Sequence, residues 1–111
     1  MNERDRELLL DMREAALRIQ EYLAGRMRSD LDTCPMLFDA VVRQFEILGE
    51  AARTISTSGR QCLLSVPWRA IIGMRNQLIH AYKGVDADAV WRTALEDLPP
   101  LLEAIAPWTA E

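Results

Sequence analysis

Four side chains able to do chemistry crowd into one apolar stretch, "MRNQLIHAYKGVD" at residues 74–86: Arg75, Asn76, His80 and Tyr82. His80 is the only histidine of the chain. An imidazole changes charge near neutral pH, so it can take or give a proton during a reaction. A guanidinium offers paired N–H donors to a phosphate or a carboxylate. Read as a helix, the stretch puts Asn76 and His80 on one face at i,i+4 and Leu78 with Tyr82 on another. Arg75 lies about 140° round from His80, within the swing of a long side chain near a helix end. Asn76 is a poor helix former, which favours a specific hydrogen-bonding task for it. Plain structural readings compete: His80 as a cap or packing residue, Arg75 as a surface ion-pair partner, Tyr82 as a half-buried packing group.

Other chemistries find little support. Two cysteines, Cys34 and Cys62, lack a C-x-x-C spacing, and one histidine completes no ligand set. They read as buried, reduced thiols. The net charge of −4 argues against a globally basic nucleic-acid binder, but the charge is unevenly spread. Residues 41–85 carry six basic and two acidic side chains, a balance of +4, against −8 for the remainder. A basic island between acidic flanks suits a local anion site. Arginines scattered over solvated faces would produce the same balance.

The elements that must position these groups all have helical period. At 111 residues the chain is one domain, 1–111, with half its residues hydrophobic and a quarter charged. Leu8, Met12, Ala15, Ile19, Tyr22 or Leu23, and Met27 form a first stripe, predicting a helix from about residue 3 to Arg28. "SDLDTCP" breaks it, with Asp32 or Thr33 as the next cap and Pro35 in the first turn. A second helix carries Leu37, Val41, Phe45, Leu48, Ala52 and Ile55 and frays in "STSGRQ". The third starts at "SVPW", carries Ile71, Ile72, Leu78 and Ile79, and stops near Tyr82 because Gly84 suits a helix C-terminus. Asp86 or Asp88 caps a fourth, with Val90, Ala94, Leu95 and Leu98 inward. Pro99 and Pro100 interrupt it, and "LLEAIAPW" makes a short fifth. Short loops make antiparallel neighbours, so the expected fold is all-α: a four-helix up-down bundle with a short additional C-terminal helix. The charged N-terminus has no signal-peptide core and no run reaches membrane-spanning length, so the expected location is cytoplasmic, with no membrane partner.

"PWRAIIGMRNQLIHAYKGVDADAVW" resembles the HEPN superfamily, marked by an arginine, a polar residue, a few apolar residues and a histidine on one helix. It is most similar to the HepT family, the toxin half of HEPN/MNT toxin–antitoxin modules, whose version reads R-N-x-x-x-H-x-Y. Arg75, Asn76, His80 and Tyr82 fill every position. "AVVRQFEILGEAAR" resembles the family's helix centred on G-E-A, here Gly49, Glu50 and Ala51. The likeness runs from about residue 40 to 100 and more loosely over the first helix.

The resemblance implies the toxin of a type VII-like module: an endoribonuclease that needs no metal or cofactor and works as a homodimer. Motifs from both protomers would meet in one cleft. Arg75 and His80 would be catalytic, with Asn76 and Glu50 supporting them, and RNA would be the substrate. Tyr82 would be the residue to which a cognate nucleotidyltransferase antitoxin attaches AMP. Glu50 also reads as a plain solvated charge, and Gly49 as a site of close helix packing. The competing function is a helical partner that binds nucleotide and docks the nucleotidyltransferase without cleaving RNA.

Overall fold

The computed structural model describes residues 1–80 and 84–110, and within them helix is the only regular secondary structure. Its elements are α1 (Glu3–Leu23), α2 (Asp30–Thr33), α3 (Pro35–Thr54), α4 (Thr57–Gln61), α5 (Trp68–His80), α6 (Ala87–Glu96) and α7 (Leu98–Thr109). The longer helices close a ring in which α1 packs on α3, α3 on α5, α5 on α6, α6 on α7 and α7 on α1. Neighbours run in opposite senses. Asp5, early in α1, bonds Ser56 just beyond α3, and Arg60, ahead of α5, bonds the carbonyls of Ala52 and Arg53 late in α3. The up-down bundle is therefore present.

The stripes meet as their spacing demands. Leu9, Met12 and Ile19 of α1 face Val41, Phe45 and Leu48 of α3, with Ile71, Val90, Leu98, Leu101 and Ile105 completing a core that water does not reach. Fully burying such a side chain stabilises the fold by about 1.5–3 kcal/mol, so this core, rather than helix propensity, holds the site's frame.

Several boundaries differ from the periodic reading. α1 stops at Leu23, one turn early, because Gly25 adopts a left-handed backbone (φ +73°) that ends the helix; Met27 is left exposed. The break at residues 29–34 contains the single turn α2. Neither Asp32 nor Thr33 caps α3; Cys34 holds that position with no side-chain bond, and Asp32 pairs with Arg28 instead. "STSGRQ" does not fray. Ser56 accepts from the Gly59 N–H and starts α4. Asp86 caps α6 as anticipated, accepting from the backbone N–H groups of Asp88 and Ala89. Pro99 and Pro100 do not interrupt a helix but begin one, since a missing N–H costs nothing in a first turn. Consequently α7 is longer than α6, and Leu98 belongs to it. Leu95 faces solvent rather than the core, and Cys62 is an exposed thiol rather than a buried one. No described helix is long and apolar enough to cross a membrane.

Candidate functional site

The α3–α5 seam is built by small residues on one helix and two apolar anchors on the other. Gly49 and Ala52, one turn apart on α3, are buried, as are Ile71 and Met74 on α5, and the Ile71 carbonyl lies against Gly49. Arg75 follows Met74 at the edge of that seam. Its stem lies directly over Gly49: a Cβ built there would stand 2.1 Å from the Arg75 Cβ and 2.7 Å from its Cγ.

Beyond the stem, the guanidinium is held on two sides. Its Nη2 forms an ion pair with Glu50 Oε2 at 3.0 Å, and its Nη1 donates to Asn76 Oδ1 at 3.0 Å. Nε is enclosed and has no acceptor among the described residues. The Arg75 side chain is only 20% exposed while Glu50 is 55% exposed, so the carboxylate reaches in from solvent to an arginine seated in the fold. Arg53 stands on the far side of Glu50 at 3.7 Å, so two guanidinium groups share one carboxylate and a positive excess remains. Among the described residues Nη1 gives one N–H to Asn76, Nη2 stands in ion-pair range of Glu50 and Nε is enclosed, so the terminal nitrogens hold more N–H donors than the one bonded to Asn76. Such a fork suits a phosphate.

His80 is the last described residue of α5 and is exposed, as is Asn76 one turn earlier on the same face. The fold thus joins Arg75 to Asn76 by a hydrogen bond and to Glu50 by an ion pair, and sets His80 further along the same helix. Tyr82 lies outside the described residues. Among those described, no three His, Cys, Asp or Glu side chains gather as they would around a metal ion.

Part of the basic island has structural work that the sequence did not disclose. Arg60 donates to the last carbonyls of α3 (3.3 Å to Ala52, 3.1 Å to Arg53) and lies 5.6 Å from the centre of the Trp68 ring. Trp68 in turn donates to the Leu63 carbonyl. Arg60 is thus a capping group and not part of an anion site. Arg53 is the i,i+3 partner of Glu50, a pairing that the sequence spacing alone permits. The open groove between α1 and α3, about 400 Å³, is an unsuitable RNA track: Asp11, Glu46 and Glu50 outnumber Arg4 and Arg43 on its walls.

A family model described as "Ribonuclease HepT-like" matches residues 12–107, a span that includes the whole seam. The chain belongs to the HepT-like ribonuclease family. Among its relatives is a Methanocaldococcus jannaschii protein named "Putative RNase MJ1380", 34% identical over 95% of this chain and 97% of its own length. A Thermococcus cleftensis protein named "Probable ribonuclease HepT" is 36% identical over 91% of this chain and 92% of its own. A third, "Putative RNase TTE0752" of Caldanaerobacter subterraneus, is 39% identical over 73% of this chain and 76% of its own. No solved structure matches the chain. Membership of a HepT-like family makes the seam around Arg75 the site to interpret.

Proposed function

We propose that this HepT-like chain is an endoribonuclease toxin of a HEPN/MNT toxin–antitoxin module, cutting RNA without a metal at a site shared by two protomers. One observation carries the reading: a guanidinium fixed between Glu50 and Asn76 with donors to spare, on the same helix as an exposed histidine. Cleavage through the ribose 2′-hydroxyl needs a base for that hydroxyl, an acid for the departing 5′-oxygen, and positive charge for the crowded phosphorane. Each chain has one histidine. In a two-fold dimer, His80 of one protomer takes the 2′-proton while the other copy protonates the 5′-oxygen. The products are a 2′,3′-cyclic phosphate and a 5′-hydroxyl. Arg75 grips the phosphate, and Asn76 orients it or the guanidinium.

Neutralisation by the antitoxin would run through Tyr82, two residues beyond His80. Attachment of AMP there sets an anion and a bulky base beside the Arg75 donors that RNA must use. The second reading, a nucleotide-binding partner without nuclease activity, draws support from the Glu50 carboxylate, which already neutralises part of the Arg75 charge.

Cleavage of RNA in a chelator by purified wild-type protein, against His80→Ala, separates the two. Loss of cleavage in the variant supports the nuclease; equal rates, or none in either protein, favour the binding partner. Sedimentation at micromolar concentration tests the dimer. Intact-mass measurement after incubation with ATP, Mg²⁺ and the nucleotidyltransferase tests the tyrosine, and modification that persists in Tyr82→Phe places the acceptor elsewhere.

A further inference from the structure

We propose that Gly49 is a positioning residue for this site: its missing side chain lets the Arg75 stem cross α3 in contact, and that contact delivers the guanidinium to Glu50. The inference rests on the reading above, in which Arg75 meets RNA phosphate.

Carbon atoms at rest stand about 3.5–4 Å apart. A methyl at position 49 would instead be 2.1 Å from the Arg75 Cβ and 3.3 Å from the Ile71 carbonyl oxygen. The Cβ of Arg75 is fixed by the α5 backbone, so no rotamer change relieves the first contact. Only a shift of α5 away from α3, by more than about 1 Å, would do so. Asn76 rides on α5 with Arg75, so such a shift acts on the one link across the seam, the 3.0 Å ion pair with Glu50. It would also open the enclosure round Nε. Glycine in a helix interior is otherwise disfavoured, and nothing in the backbone of α3 requires it here: its φ is helical. The close approach is the reason for it. Gly49 touches no reacting atom and acts wholly through Arg75.

The test pairs stability with cleavage in four proteins: wild type, Gly49→Ala, Arg75→Gly and the double variant. Gly49→Ala should lower the melting temperature and reduce kcat about 100-fold, the scale of an ångström's misplacement, with a smaller change in KM. In the Arg75→Gly background the space is vacant, so adding Gly49→Ala should lower the melting temperature no further. Millimolar guanidinium ion should then restore the same fraction of cleavage to Arg75→Gly and to the double variant. If Gly49→Ala fails to fold, the double variant should still fold. The proposal is overturned if folded Gly49→Ala cleaves at the wild-type rate, or if its stability loss is equal in both backgrounds, which would put the clash on the α5 backbone. Failure of the underlying reading looks different: wild-type protein cleaves nothing, or Arg75→Ala cleaves as fast as wild type.

Discussion

Two charged side chains in this molecule are seated on a glycine, and they are used differently. Asp5, 2% exposed, lies where a Cβ on Gly59 would stand 2.6 Å from its Oδ2. Its Oδ1 accepts from the Ser56 backbone N–H at 3.0 Å and its Oδ2 from the Ser56 hydroxyl. Ser56 is itself the cap of α4, so one carboxylate ties the start of α1 to the chain just past α3. Arg75 is seated as firmly on Gly49, but among the described residues its guanidinium bonds only Asn76 and pairs with a solvent-exposed Glu50. A buried charge is costly unless its bonds are made. Where they are all made, the group is holding the fold together. Where donors are left over on a helix that also carries an exposed histidine, the arrangement is suited to a ligand.

The sharpest way to break that contrast is to remove each group and ask which property falls. Arg75→Ala and His80→Ala should each cut RNA cleavage by about 10²–10⁴, the usual worth of proton transfer or of one charge-stabilising donor set, with the helical fold kept. Cleavage by initial rate and folding by circular dichroism read the two properties separately. Wild-type rates in either variant would dissolve the site assignment. Asp5→Ala should do the reverse. It strands the Ser56 N–H and hydroxyl and should cost about 2–3 kcal/mol in urea unfolding, the range for hydrogen bonds to a charged group. Its cleavage per folded molecule should match wild type, and a nuclease defect at full folding would merge the two regions into one.

Titration sharpens the same point. Burial raises the Asp5 carboxyl, but the bonds from the Ser56 hydroxyl and backbone N–H outweigh it, so the folded group titrates below its ordinary 3.8. The unfolded chain then takes up the proton first as pH falls. The stability that the ionised group contributes is complete above about pH 5 and is lost as pH drops through 3.8 and then the lower folded value. The difference in unfolding free energy between wild type and Asp5→Asn should therefore be flat from pH 7 to 5 and shrink on further acidification. A difference that widened in acid would mean that the folded protein prefers the neutral carboxyl.

How much of this was readable in advance depended on the kind of signal. The 3.6-residue stripes through Met12, Val41, Phe45 and Val90 reported burial directly, so the all-helical fold and its antiparallel order followed from them. The ends of helices were harder, because they are set by single backbone positions. Gly25 and the Ser56 cap were visible as residue types, but whether glycine ends a helix or sits inside one is decided by tertiary packing. Pro99 and Pro100 illustrate the same ambiguity, since proline serves equally after one helix and at the start of another. Within the site, the fit of Arg75, Asn76, His80 and Tyr82 to a family pattern named the residues but not their bonds. The pairing of Arg75 with Glu50 joins residues 25 apart in sequence on two helices, and no local spacing encodes it. The employment of Arg60 as a cap on α3 was hidden for the same reason.

The smallest effect concerns a third glycine and gives the comparison its control. Gly73 lies in α5 one turn before Asn76 and Gln77, and a Cβ built on it meets nothing within 4 Å. A helix-interior glycine with open space around it is destabilising relative to alanine by about 0.5–1 kcal/mol, through backbone entropy alone. Gly73→Ala should therefore raise the melting temperature by a few degrees, where Gly49→Ala lowers it. The two substitutions add the same methyl to neighbouring helices of one seam, so opposite signs isolate the crowding at Arg75 from any general response to alanine. Gly73 also sits between exposed Arg69 and exposed His80 along α5, roughly within the sector of Asn76. Cleavage by Gly73→Ala carries the second half of the result. An unchanged rate with raised stability means that the methyl points into free solvent in the working protein too. A stabilised protein with reduced cleavage would show that RNA, or a second copy of the chain, passes close over α5 at this point.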